Sequence, residues 1–113
     1  MIETVYKILT NAEWADFQSA GSFEGSPVDL EDGYLHFSAA DQVAETAEKH
    51  FSGQQGLWLV AVQADPKNPH WKWEKSRNGA LFPHLYESLA IHNVVSATPI
   101  ATGADGRFKL ESL

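Results

Sequence analysis

The chain has 113 residues, 43% hydrophobic and 12% aromatic, which suits one globular domain (1–113) rather than a disordered segment. It contains no cysteine, so disulfides, thiolate zinc sites and cysteine nucleophiles are excluded. A net charge of −7 argues against a broad nucleic-acid or anionic-membrane surface.

The N-terminal MIETVYKILTNAEW carries Glu3 early and does not read as a signal peptide. Nowhere is there the run of about 20 apolar residues that spans a bilayer, so a soluble cytoplasmic protein is expected. Residues 3–9 (ETVYKIL) are rich in β-branched and aromatic side chains and predict a strand. Thr10 and Glu13 match a capping box, Trp14 and Phe17 follow at helical spacing, and Gly21 is a stop. A helix is therefore predicted over about 11–20. SFEGSPVDLED (22–32) has loop composition.

Residues 34–37 alternate as a short strand. Ser38, with Asp41 three residues on, is expected to cap a second helix. The apolar face of that helix is Ala40, Val43, Ala44, Ala47 and Phe51, and Gly53 ends it. LWLVAV (57–62) is a short, Gly-bounded apolar run and predicts a central strand buried on both faces. ADPKNPH (64–70) is loop, and WKWE (71–74) alternates as an edge or half-buried strand would. SRNGALFPHLYESL (76–89) is expected to be mostly irregular, because Gly79 and Pro83 interrupt it. Strands at 93–100 and 107–110 flank the turn GADG. The sum is an α+β pattern of short, mostly antiparallel strands with two helices in the N-terminal half. Neither GxGxxG nor GxxxxGK[ST] is present.

Two of the five histidines stand out. His50 sits at a helix C-terminus, where a cation suits the dipole, His70 lies in a Pro-rich loop, and His92 has no suggestive neighbours. His36 and His84 each lie in an aromatic context. Alternation puts Tyr34, His36 and Ser38 on one strand face and Leu35 and Phe37 on the other, which is the natural core face. His36 is then either an ordinary strand histidine beside a Ser cap, or part of a site in which Ser38 and the helix N-terminus hold a phosphate. Residues 71–86 gather Glu74, Lys75, Arg77, His84 and Tyr86. They form either a functional loop, in which Arg77 offers a planar fork to phosphate, or an aromatic lid with a surface Glu74–Arg77 pair. His36, His84 and Glu74 would make a two-His-one-carboxylate set. No HExxH or i, i+4 His pair supports it, and no metal is expected. No GxSxG elbow is present.

Taken together, YKIL (6–9), the helix with Trp14, VDLEDGYLHFSAADQVAETAEKHF (28–51) and WEKSRNGALFPHLY (73–86) resemble the bacterial family called domain of unknown function 952. The resemblance implies an ADP-ribosyltransferase-like fold, nearest the RNA 2′-phosphotransferases, which use NAD. HFS at 36–38 is similar to their His-apolar-Ser element. Lys7 stands where such folds carry a His or Arg that holds the nicotinamide ribose. No late-strand Glu is matched, and Glu87 falls where the family pattern has Gly. Arg77 and Arg107 are the only arginines, so RNA is not expected. The resemblance therefore implies a small phosphorylated or ribosyl ligand, with NAD or no cofactor, in a domain that acts at ribose or phosphate. His36 and His84 would be catalytic. Lys7, Tyr34, Ser38, Glu74, Arg77, Phe82 and Tyr86 would bind the ligand. The alternative is a catalytically inert ligand- or protein-binding module that keeps a histidine-lined cleft; a third option is that both histidines only pack. Oligomeric state is left open.

Overall fold

The computed structural model describes residues 2–76 and 79–110. Arg77 lies outside them. Strand β1 (Glu3–Thr10) pairs antiparallel with β4 (Leu57–Ala64), from Glu3 opposite Ala64 to Thr10 opposite Leu57. Strand β8 (Val94–Pro99) pairs with the other edge of β4, with a register shift at Ala61/Val62. The central place of β4 explains its unbroken apolar run, because both faces of this sheet are covered. On one face Val5, Leu9, Val60 and Val62 join Phe17, Phe23, Leu35, Phe37 and Leu85 in the main core. On the other, Ile8, Leu57 and Leu59 pack with Val43 and Ala47 of helix α3 (Val43–Phe51).

Helix α1 (Asn11–Ala20) forms as its caps dictate. Glu13 N donates to Thr10 Oγ1 at 3.1 Å, and Thr10 N donates to Glu13 Oε1 at 2.9 Å. Gly21 closes the helix at φ 82°, a left-handed conformation that a side chain resists.

The second sheet is β3 (Leu35–His36), β6 (Leu81–Leu85) and β5 (Trp71–Lys75), with β6 in the middle. The expectation of irregular chain over 76–89 is corrected here. Pro83 sits inside a central strand, where a proline normally costs a ladder bond. Phe37 N donates to Pro83 O at 3.0 Å, and the return bond is the one a proline lacks. Strand β3 breaks off just there, and the chain crosses to bridge Ser38 to Tyr6 of the first sheet. Two further pairs complete the fold: β2 (Ser22–Phe23) with β7 (Leu89–Ala90), and β9 (Ala101–Thr102) with β10 (Phe108–Lys109).

The 22–32 segment also departs from expectation. It holds β2 and a short helix α2 (Pro27–Asp32), so the described residues contain three helices, not two. Pro at the first helical position and a Ser26–Asp29 box explain it, because Ser26 N donates to Asp29 Oδ2 at 2.8 Å. The strands pair antiparallel throughout, as an α+β domain requires. Among the described residues no helix is long and apolar enough to cross a membrane.

Candidate functional site

The register of the second sheet sets His36 directly opposite His84, and His84 opposite Lys72, with Glu74 opposite Phe82. Because Leu35 and Leu85 face the core, these side chains share the opposite face. The histidine rings meet edge to face, with centroids 5.4 Å apart. Tyr34 lies over both, 4.6 Å from His36 and 4.3 Å from His84, and 5.0 Å from Tyr86. Sheet pairing thus gathers residues from three separate stretches of chain into one layer of rings.

Each histidine is anchored through Nδ1 by a carboxylate. His84 Nδ1 lies 2.9 Å from Glu74 Oε1, which also accepts the Tyr86 hydroxyl at 2.6 Å. A carboxylate only accepts, so the proton sits on Nδ1 and Nε2 carries a lone pair. His84 is 3% exposed, and its Nε2 is buried with no hydrogen-bond partner among the described residues. Burial pushes its pKa down and the His36 charge adds to this, against the upward pull of Glu74. Hydrogen bonds from Tyr86 and His84 hold Glu74 below the usual carboxylate range. The same Glu74 bond, ahead of desolvation, pushes the Tyr86 phenol up to about 12. Desolvation, then Asp32 and Glu74, raise Tyr34.

His36 is held by two acids that the sequence pattern does not single out. Its Nδ1 is 2.6 Å from Asp29 Oδ1, and its Nε2 is 2.9 Å from Asp32 Oδ2. Asp29 is 2% exposed, and its carboxylate accepts four bonds: from Ser26 N, His36 N, His36 Nδ1 and the Lys7 ammonium, the last at 2.9 Å. Burial alone would raise its pKa. The His36 bond, the Lys7 charge and the Ser26 amide outweigh that and bring it down to about 2. The SPxD capping spacing at 26–29 is the one sequence signal that could have found Asp29.

Several predicted site residues take other places. Lys7 is 7% exposed and sits in the core between the sheets, bonded to Asp29 and to the His36 carbonyl at 2.8 Å. Burial lowers its pKa against the pull of Asp29. It steadies His36 from beneath and does not line the open face. Ser38 is buried, and it does not cap helix α3, whose N-cap is Gln42. Ser38 N is spent on Tyr6 O and Ala39 N on Gln42 Oε1, so the expected anion cradle does not form. Ser38 Oγ pairs with Thr46 Oγ1 at 2.9 Å. His36, His84, Tyr34, Glu74, Phe82 and Tyr86 come together on one sheet. Arg77 is outside the described residues. Among the described residues no group of three or more His, Asp or Glu is arranged to hold a metal ion. Beside the rings lies a depression of about 230 Å³, bordered by Tyr34, Tyr86, Gly33, Leu30, Glu24 and Glu87.

The family described as "Protein of unknown function (DUF952)" matches residues 8–97. The chain belongs to that family. The DUF952 match takes in Asp29, Asp32, His36, Glu74, His84 and Tyr86, and begins one residue after Lys7. A crystal structure of protein CC0527 from Caulobacter crescentus is 48% identical to this DUF952 chain, covers 94% of it and 93% of its own chain, and superposes with a TM-score of 0.89. A double mutant of CC0527 gives 47% identity with the same coverage and TM-score. Its solution NMR structure gives 49% identity, 92% and 90% coverage, and a TM-score of 0.84. No curated protein matches the chain. Neither the family nor these relatives bear the name of an activity, so the chemistry is read from the side chains.

Proposed function

We propose that this protein binds a small ribosyl ligand of the NAD or ADP-ribose type on the His36–His84 face, in an ADP-ribosyltransferase-like domain. The observation that carries this is the buried, unpartnered Nε2 of His84. A polar atom left without a partner in a protein interior is costly, and such an atom at a cluster of titratable rings is a place where a ligand supplies the bond. With Nδ1–H given to Glu74, Nε2 accepts, and its natural partner is a hydroxyl donor such as a ribose hydroxyl.

The surroundings favour the ribosyl end of such a ligand over its phosphates. Asp32, Glu74, Glu24 and Glu87 make the neighbourhood acidic, and Lys7 is spent on Asp29. If the domain acts as an enzyme, His84 backed by Glu74 takes the proton of the bound hydroxyl as general base, and the chemistry falls at the ribose. The competing possibility is a catalytically inert binding module. It is favoured by the cover that Tyr34 places over His84.

Titration of NAD, ADP-ribose and a 2′-phosphorylated nucleotide to millimolar concentration tests this. The expected result is a higher melting temperature with ADP-ribose, abolished by His84→Ala. Unchanged melting with all three overturns the proposal. Binding of NAD without release of nicotinamide on long incubation selects the inert module.

A further inference from the structure

The Tyr34 ring touches three other rings at once. Its plane is tilted 35° from His84, 39° from His36 and 31° from Tyr86. These are close ring contacts, and with the two histidine rings set 67° to each other the three neighbours make an angled slot that one flat ring fills. The Tyr34 hydroxyl makes no hydrogen bond among the described residues, while its ring covers the histidine whose Nε2 lacks a partner.

Little regular structure holds the chain at this point. Tyr34 follows Gly33, which ends α2 at φ 88° with nothing within 4 Å of the position a Cβ would take. Tyr34 precedes the two-residue strand β3, so neither a helix nor a long ladder holds it. The depression of about 230 Å³ beside it is bordered by Gly33, Tyr34 and Tyr86, and gives the ring somewhere to go.

We propose that Tyr34 is a resident stand-in for the planar ring of a nucleoside: the ligand's ring takes the slot on His36, His84 and Tyr86, Tyr34 swings into the neighbouring depression, and the uncovered His84 Nε2 receives a hydroxyl of the attached sugar. This rests on the ribosyl-ligand proposal above and adds which part of the ligand enters first. It also assigns the occupant's chemistry. The ring is neutral or cationic, since Asp32 and Glu74 pair with the two histidines of the slot and Glu24 and Glu87 border the depression beside it. A sugar phosphate without a ring has nothing to displace Tyr34.

The test uses NAD, adenosine, ribose 5-phosphate and free nicotinamide on the wild-type chain and on Tyr34→Ala, reading affinity and the 15N shift of His84 Nε2. Adenosine or NAD is expected to shift Nε2 and to move the Tyr34 ring protons of the wild type out of their stacked position, and ribose 5-phosphate to do neither. Tyr34→Ala, freed from self-occupation, is expected to bind the ring-bearing probes about tenfold more tightly. Should Tyr34→Ala not fold, the wild-type Tyr34 ring-proton shifts decide alone. NAD binding with Nε2 and Tyr34 both unmoved overturns the slot and leaves the ribosyl proposal standing. Filling of the Tyr34→Ala slot by nicotinamide alone, with no response to NAD or adenosine, keeps the slot and sinks the ribosyl ligand. Silence with all four probes sinks both.

Discussion

The two three-stranded sheets share a core but are built to different ends. The β1–β4–β8 sheet carries aliphatic side chains on both faces of its middle strand and is covered on both sides. The β3–β6–β5 sheet gives one face to that core and uses the other for two histidines, a glutamate and two tyrosines. Its middle strand even carries a proline. One sheet supplies stability; the other holds a titratable layer that leaves a buried nitrogen without a partner among the described residues. The contrast teaches that a destabilising site is tolerated here because the neighbouring sheet offsets it.

Substitutions sharpen that contrast, beginning with the shared core. Phe17 is 1% exposed in the main cluster, and Phe17→Ala is expected to cost about 4 kcal/mol in urea unfolding. It should leave ADP-ribose affinity of the folded fraction unchanged; a large loss of affinity would erase the division between the sheets. Lys7→Met strands the Asp29 carboxylate without its buried ammonium, and about 3 kcal/mol of stability should go with it. A loss under about 1 kcal/mol would mean that His36 and the Ser26 amide satisfy Asp29 without Lys7.

Acid provides a third test. The Asp29 pKa lies at about 2, below its ordinary 3.8. Its contribution to stability is therefore fully present above about pH 4 and is lost as pH falls through about 2, with a total of about 2 kcal/mol. In Asp29→Asn that limb of the stability curve, between about pH 4 and about pH 2, should flatten. His84→Phe works in the opposite sense. It removes the unpartnered Nε2 and keeps a flat ring beneath Tyr34, so thermal unfolding should show a gain of about 1 kcal/mol while ligand binding disappears. Destabilisation instead would mean that the Nδ1 bond to Glu74 outweighs the cost of the unpartnered Nε2. The smallest effect is expected at Asp41, which is exposed and is not the cap of α3. Asp41→Ala should stay within about 0.5 kcal/mol in the same measurement.

How much of the molecule is legible in the chain depends on the range of the forces involved. Thr10, Glu13 and Gly21 act within one helical turn, so α1 is legible to the residue. The run at 57–62 declares a strand buried on both faces because apolar content is local information. Strand β6 is hidden, since Pro83 and Gly79 mark turns and only pairing with β3 and β5 overrides them. Ser38 reads as a cap by composition. Pairing with Tyr6 takes its backbone, and the helix starts at Val43. His36 and His84 are visible as candidates, but their mutual contact depends on register, which no local pattern carries. Asp29 escapes notice because the bonds that matter reach to Lys7 and His36, while its neighbours look like a surface loop.

The bridge between Tyr6 and Ser38 has a kinetic meaning. Each residue donates its amide to the other's carbonyl at 2.8 Å, and this is the isolated backbone bridge that ties the two sheets among the described residues. Both amides are locked in the same bridge, so neither can trade its proton for deuterium unless the sheets part at that seam. Their exchange should keep common time, and it times the separation of Lys7 on one side from Asp29 and His36 on the other.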